Sequence, residues 1–384
     1  MKKYGKKALL LIFCIAFSFA VFSPRAHCED GSTLAQMPDG YSELSEVLPE
    51  DVKSSLPDGM LSSDAEAQGR ALEEVLTPEY IFSFLGELLG VSLSSSVTLF
   101  VTVCGLLVIS SALTALRGTV RSESLAAAAR FCSTGAVFAA LIYSQSEQLS
   151  EVAKYFERLD SLMKAMIPIG AAVLAMGGNI ATASAASGTL PIFLTVAESL
   201  CAATVIPVSC ACTALALGNS ISPDMGLRGF SNAIRKTYTF ILGTVMTLLL
   251  AILSSQTLLA SASDSTGARA ARLVSTTAIP VVGGTVSQTL GTVSAGVGYL
   301  KSVVGVGGIV FIAALLLPVL VSLILSRLVF LLTGGVADML GCETEARLLS
   351  ELGSIWGTLI AVVAMCAVMF ILALVVLVKI TVAA

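Results

Sequence analysis

Long stretches without a charged side chain recur along most of this chain. They lie at 88–116, 165–197, 199–223, 237–263, 273–300, 302–326 and 352–378. A helix needs about 20 mostly apolar residues to cross the hydrocarbon core of a bilayer, and a backbone inside hydrocarbon must satisfy its own hydrogen bonds. The pattern therefore predicts an all-α polytopic membrane protein with about seven or eight transmembrane helices.

Two of these stretches are rich in glycine and proline. The residues that set them apart are Pro168, Gly177 and Gly178 in the first stretch and Pro280, Gly283 and Gly284 in the second. Proline and glycine interrupt a helix or loosen it, and in a membrane they are tolerated where neighbouring protein satisfies the backbone. We expect broken helices at both places.

A charged amphipathic segment precedes each glycine-rich stretch. In 146–165 apolar side chains recur every three or four residues among charged ones, and 261–277 is a shorter polar segment. One apolar stripe on a charged helix is typical of a helix that lies in the membrane interface or packs on its neighbours. Both interpretations are open for 146–165.

The order of segments repeats itself. A span, an amphipathic piece, a glycine-rich run and a second span occur at 124–217 and again at 237–331. Three crossings would separate the two copies, so the second copy would be inverted, as in many transporters and channels. The alternative is that glycine and proline are simply frequent in membrane helices.

The N-terminal region divides into two parts. Lysines precede an apolar run from Ala8 to Phe22, which predicts a signal peptide at 1–28, with an uncleaved anchor as the alternative. Residues 29–90 carry fourteen acidic residues against two basic ones. We interpret 29–90 as an extracytoplasmic segment of short helices that dock on a partner or on the membrane domain, or else as a solvated linker. The polytopic helical membrane domain is expected at 91–384.

Composition excludes several kinds of chemistry. The chain is 55% hydrophobic and 12% charged, and its single histidine, His27, lies in the predicted signal peptide. A catalytic Ser-His-Asp triad or a zinc site with histidine ligands therefore has no histidine to use. The sequence contains no P-loop and no CxxC motif. It predicts no catalytic residue, no cofactor site and no metal site, and therefore a protein that is not an enzyme.

A few polar residues lie deep within the uncharged stretches. Glu198 is the ionisable group placed furthest from other charges, and a carboxylate at mid-membrane costs several kcal/mol unless it is neutral, paired or facing water. Glu198, Asn179 and Gln256 are our candidates for a pathway or for polar bonds between helices. By contrast, we interpret Asp338, Glu343 and Glu345 as a solvated loop.

Several long segments carry a resemblance to a known family. They are Leu48-Pro49-Glu50-Asp51-Val52, Pro168 to Gly178, Ser255 to Asp264, Ala278 to Gly284 and Lys301 to Val310. In these segments and their order the chain resembles the stage III sporulation protein AE family of endospore-forming bacteria. The resemblance covers nearly all of the chain after the predicted signal peptide.

The resemblance implies a multi-pass component of the mother-cell membrane around the forespore, with 29–90 in the space between the two membranes. It implies membership of the channel or secretion complex that links mother cell and forespore during engulfment. The implied partners are ring-forming membrane proteins, a cytoplasmic ATPase and, through them, a forespore membrane protein, together with the lipid bilayer and without nucleic acid.

Within that complex, the inferred repeat, the broken helices and Glu198 favour a permease-like subunit. Two alternatives stay open at this point. The chain would act as a structural anchor that recruits other subunits, or as an independent proton-coupled secondary transporter. What it would transport does not follow from the resemblance.

Overall fold

The computed structural model describes residues 48, 50–54, 56–62, 64–117, 123–176, 180–221, 226–278 and 283–379. Eight helices account for most of these residues. They are α1 (Glu50–Ser54), α2 (Ala65–Val75), α3 (Pro78–Arg117), α4 (Glu123–Met176), α5 (Ile180–Ile221), α6 (Leu227–Ala278), α7 (Gly283–Met339) and α8 (Glu343–Lys379). Within the described residues, six helices, α3 to α8, are long and apolar enough to cross a membrane. The expectation of an all-α polytopic membrane protein is confirmed.

A tight turn at 340–342 joins α7 to α8. Gly341 adopts a positive φ of 73°. The amides of Gly341 and Cys342 donate to the carbonyls of Asp338 at 3.2 Å and Ala337 at 2.9 Å, which is the hydrogen-bond pattern of a glycine-capped helix terminus. Helices α7 and α8 therefore form an antiparallel hairpin, and we call the end of the bundle at 340–342 the hairpin end.

The remaining long helices alternate in direction. Near the start of α8, Glu345 contacts Ser110, close to the end of α3, and Ser133, close to the start of α4. The amide of Arg228, at the start of α6, donates to Asn219, near the end of α5, at 3.2 Å. Helices α3, α5 and α7 therefore end at the hairpin end, while α4, α6 and α8 begin there.

Helix α8 lies in the centre of the bundle. It packs against α4, α5, α6 and α7. In its most apolar stretch 61% of the residues are buried, compared with 17% in α3 and in α6. Trp356 is fully buried and meets Phe330 of α7 edge to face, with ring centroids 5.2 Å apart. A helix that is apolar on all sides fits such a central position, whereas the exposed apolar side chains of α3 and α6 suit contact with lipid.

The glycine-rich stretches do not form separate crossings in the described residues. The first is divided between the end of α4 and the start of α5, and the second forms the first part of α7. This leaves six candidate crossings, against the seven or eight expected. The two halves of the proposed repeat thus correspond to two pairs of long helices, α4 with α5 and α6 with α7. Since α4 and α6 both begin at the hairpin end, the two pairs run in the same direction, and the expected inversion between them is not present.

The positions where we expected helix breaks have different outcomes. Helix α4 continues through Pro168, so the break we expected at this proline is not present. The side chains of Met166 and Ile167 before the proline, and of Ile169 and Val173 after it, are buried in the bundle, which supports an unbroken helix here. Gly283 and Gly284 are the first two residues of α7. The other three, Gly177, Gly178 and Pro280, lie outside the described residues.

The acidic N-terminal segment contributes a helix that docks on the membrane domain. Helix α2 begins at Asp64, whose side chain accepts from the amide of Glu66 at 3.1 Å, and it packs against α7 and α3. The hydroxyl of Tyr299, in α7, donates to the carbonyl of Ala65 at 3.5 Å. Helix α3 starts at Pro78, so the domain boundary expected at residue 90 lies inside a continuous helix.

Candidate functional site

The charged segment at 146–165 is the middle of α4 and stands upright in the bundle. At its start, Gln148 accepts from the indole of Trp356 in α8 at 2.6 Å and donates to the hydroxyl of Ser326 in α7. At its other end, Met166 of α4 and Leu374 of α8 both lie against Gly308 of α7. Of the two interpretations from the sequence, packing on neighbours is therefore the correct one.

These two layers of contact fix the depth of the charged segment. They lie about 18 residues apart on each of the three helices, which corresponds to roughly 27 Å along an α-helix. Between the layers, α7 (308–326) and α8 (356–374) contain no charged residue. The hydrocarbon core of a bilayer is about 30 Å thick. The charged segment of α4 therefore lies level with the most apolar part of the bundle.

One side of this segment is buried and the other is exposed. The apolar side packs into the core with Val152, Phe156, Leu159 and Met163. The exposed side carries most of the charges and two serines, and we call it the charged face of α4. Its members are Glu147, Ser150, Glu151, Lys154, Glu157, Ser161 and Lys164.

Charges on this face partly pair with one another. Lys154 lies 2.7 Å from Glu151, and both side chains are about half exposed, at 51% and 48%. Lys164 lies 2.6 Å from Asp160, whose side chain is 15% exposed. Several charges at the depth of apolar helices each cost about 2.5–3.5 kcal/mol against lipid on insertion scales. The charged face of α4 is therefore suited to water or protein and not to lipid.

Glu198 borders the charged face of α4. It lies in α5, half-buried, and interacts electrostatically with Asp160, Lys164 and Glu157 of α4. The hydroxyl of Ser199 donates to Glu198 at 3.3 Å. The sequence placed Glu198 alone in an uncharged run, whereas the packing of α5 on α4 brings it to a cluster of charges.

Of the other two polar candidates, Gln256 lies within the described residues and Asn179 does not. Gln256 lies in α6 and is half-buried, and its Oε1 has no hydrogen-bond partner among the residues that the structure describes. Asn179 lies outside the described residues. Both stay predictions as pathway residues or as polar links between helices.

A carboxylate that the sequence assigned to a solvated loop is buried. Glu345 is 4% exposed and accepts hydrogen bonds from Ser110 at 2.8 Å, Ser133 at 2.7 Å and Thr134 at 3.4 Å. Our interpretation of Glu345 as solvated was wrong, because α3 and α4 cover the start of α8. The exposed pair of Glu343 with Arg347, at 2.9 Å, does fit a solvated position.

A second buried carboxylate ties α8 to α6. The side chain of Glu351 is 4% exposed and lies 2.7 Å from Nε of Arg228 and 3.1 Å from Nη2 of Arg235. Arg228 reaches the surface, whereas Arg235 is 9% exposed. Nε and Nη1 of Arg235 have no hydrogen-bond partner in the part of the chain that the structure describes.

Sequence reasoning missed Glu351 because its two partners are more than a hundred residues away along the chain. A signal for Glu345 did exist. A glycine C-cap followed at once by acidic residues in the next first turn marks a tight helical hairpin, and such a hairpin in a bundle buries one side of its turn. No sequence signal indicates that Ser110, Ser133 and Thr134 would be the partners of Glu345.

Comparison with known proteins identifies the chain's family. The model of the family described as stage III sporulation protein AE matches residues 69–381. Neither the search of curated proteins nor that of solved structures found a match. Since the match covers most of the chain, from α2 to the end of α8, this protein belongs to the stage III sporulation protein AE family.

Proposed function

We propose that this multi-pass membrane component of sporulation is the permease-like subunit of the complex linking mother cell and forespore. The observation that supports this function is the charged face of α4, which stands at the depth of the apolar parts of α7 and α8. A helix that served only as an anchor would have no need of charges at that depth. Glu198, on the adjoining helix, adds a carboxylate to the same side of the bundle.

The pathway in this proposal runs along the charged face of α4 and past Glu198. Polar side chains at mid-membrane line routes for ions and polar solutes because water and protein dipoles there replace bulk solvation. The mixture of acidic and basic groups favours a hydrated passage over a site selective for one sign of charge. No bond-making step is required of any residue, so the protein acts in this proposal as a conduit and not as an enzyme.

The proposed orientation places the hairpin end in the mother-cell cytoplasm. Helix α3 follows the segment that we expect outside the cytoplasm and ends at the hairpin end with Arg117, and basic residues near the ends of spans favour the cytoplasmic side. The acidic helix α2 packs near the opposite end, which would face the space between the membranes. Ring-forming membrane proteins and a cytoplasmic ATPase are the proposed partners on these two sides.

Two cysteine variants test this orientation. Ser222 falls between α5 and α6 in the sequence, and Ser265 lies in the last third of α6. We expect Ser222→Cys and Ser265→Cys to react with a membrane-impermeant maleimide from opposite sides of the membrane. Reaction from the same side would mean that α6 does not cross.

Replacement of Glu198 tests the function itself. We expect Glu198→Gln to reduce heat-resistant spores by more than about tenfold, equivalent to about 1.4 kcal/mol on the limiting step, with normal protein level and complex assembly. Glu343→Gln is the matched control, because Glu343 is an exposed carboxylate at the hairpin end. Full sporulation with Glu198→Gln would remove this residue from any pathway and favour a structural anchor that recruits the other subunits.

A further inference from the structure

We infer that the charged face of α4 is covered by the same face of a second copy of this chain, with the two helices close together at Ser150 and Ser161 and water in the rest of the space between them. This inference rests on the proposed function, because it names what bounds the pathway on the side away from the bundle. In a single copy, α4 closes the pathway on one side only, since Glu151, Lys154 and Lys164 are each about half exposed. Something other than lipid must face them.

Depth restricts the occupant to a protein that is itself in the membrane. The face runs between the layer of Gln148 and Trp356 and the layer of Met166 and Leu374, a distance of roughly 27 Å along the helix. A soluble partner reaches only the ends of such a face. If only water covered the face, lipid would form the opposite wall of the passage, directly across from the charges of α4. Such an arrangement is costly for the charges.

The sequence of charges on the face suits a second copy. Lys154 lies between Glu151 and Glu157 on this face, three residues from each. In a two-fold pair, Glu151 of each copy lies diagonally across from Lys154 of the other, so one contact is formed twice. Ser150 and Ser161 lie on the same face, and small side chains there allow the two helices to approach.

The exposed surface of α6 between residues 237 and 256 lacks this pattern. Helix α6 presents Phe240, Ile241 and Leu248, all of which are exposed and apolar. That surface suits lipid and requires no partner. Leu248 also lies at a depth comparable to Ser161, because Gly243 of α6 contacts Met365 of α8, between the two layers of contact. Leu248 therefore provides a control at matched depth.

Disulfide cross-linking in membranes tests the pairing directly. The background is a variant in which the nine native cysteines are replaced by serine or alanine and sporulation is retained. We expect Ser150→Cys and Ser161→Cys each to form a disulfide-linked dimer on mild oxidation, shown to be homomeric by two differently tagged copies. Leu248→Cys should stay monomeric under the same conditions.

Charge exchange between copies provides a second test. Glu151→Lys alone and Lys154→Glu alone each place like charges across a homomeric pair, whereas one copy of each variant restores both diagonal ion pairs. We expect mixed pairs to exceed the homomeric pairs by on the order of threefold to tenfold for two restored ion pairs. An ion pair between residues 151 and 154 of the same helix cannot explain a recovery of pairing that needs one copy of each variant.

The remaining outcomes separate this inference from the proposed function. If the serine positions react with a water-soluble maleimide but never cross-link, the pathway stands and a single copy bounds it, which overturns the second copy. If they neither react nor cross-link, both the pathway and the pairing are wrong. Protection from the maleimide only when the other complex subunits are expressed would assign the face to a different membrane protein.

Discussion

Two groups of carboxylates in this bundle have opposite surroundings. At the hairpin end, Glu345 and Glu351 are almost fully buried, and each has partners from other helices within hydrogen-bond distance. On α4, Glu151 is half exposed and pairs only with a neighbour on its own helix. The first group lies where three pairs of helix ends meet, and the second lies along the side of one helix at mid-bundle.

The difference shows how a membrane bundle uses charge in two ways. A buried carboxylate with fixed partners positions helices, and its removal leaves those partners without compensation. A half-exposed carboxylate at membrane depth contributes little to packing, yet it stays costly unless water or another protein faces it. We therefore expect the hairpin-end carboxylates to determine stability and the α4 carboxylates to determine function.

The largest loss of stability is expected for Glu351→Gln. Arg235 would keep its charge in a buried position without a counter-ion, which costs about 3–5 kcal/mol. Thermal unfolding of the purified protein in detergent measures this loss. Glu343→Gln is the control, and its exposed pair with Arg347 should contribute less than about 1 kcal/mol. Equal unfolding temperatures for the two variants would contradict a structural role for Glu351.

The double variant Glu351→Met with Arg235→Met sharpens the same point. Replacing a whole buried ion pair by apolar side chains is often close to neutral. The double variant should therefore recover much of the stability lost in Glu351→Gln, provided that Arg228, which reaches the surface, keeps its own hydration. No recovery would mean that the cost arises elsewhere than at Arg235.

A smaller loss is expected for Glu345→Ala. The hydroxyls of Ser110 and Ser133 would lose their shared acceptor in a buried position, at a cost of about 1–3 kcal/mol. Glu345→Gln should lose less, because its amide oxygen still accepts a hydrogen bond. Chemical or thermal unfolding of the two variants side by side gives the order, and the reverse order would mean that the buried amide hydrogens of Gln cost more than its oxygen contributes.

Gly308→Leu tests the depth assigned to α4. A Cβ at this position would lie 2.8 Å from Cε of Met166 and 2.9 Å from Cδ1 of Leu374, so overpacking should cost about 1–3 kcal/mol. Gly335→Leu, in the same helix but with nothing within 4 Å of its Cβ, should be neutral or gain up to about 1 kcal/mol of helix propensity. Similar unfolding temperatures for both variants would mean that Met166 of α4 does not pack against Gly308.

The smallest effect on stability is expected for Glu151→Gln. Its pair with Lys154 is half exposed, and such pairs contribute about 0.2–1 kcal/mol. Unfolding in detergent should therefore change little, while the number of heat-resistant spores falls. The opposite result would be a large loss of stability with an unchanged number of heat-resistant spores. It would mean that Glu151 has a structural role like that of Glu345 and Glu351.

Much of the fold follows from local patterns. Uncharged runs of sufficient length predict membrane helices because hydrocarbon leaves the backbone no other partner, and the apolar stripe of 146–165 correctly indicated which side of α4 is buried. The break at Pro168 was predicted from proline chemistry alone. It is not present, and side chains on both sides of the proline are buried in the bundle, which supports an unbroken helix.

The candidate site was predictable only in part. Glu198 was found from its isolation in an uncharged run, but its relation to Asp160 and Lys164 depends on the packing of α5 on α4. The burial of Glu345 and Glu351 depends on helices that are distant along the chain. Sequence spacing carries no information about which helices become neighbours, so these contacts could not be derived from it.

The sequence by itself determined that this is a helical multi-pass membrane protein, which side of α4 is apolar, and which family the chain resembles. These properties depend on local composition and periodicity, which the bilayer and the helix translate directly into structure. Only the tertiary structure decided that the charged segment of α4 stands level with the apolar parts of α7 and α8. Depth is a relation between helices, and it is fixed by contacts between side chains far apart in the chain.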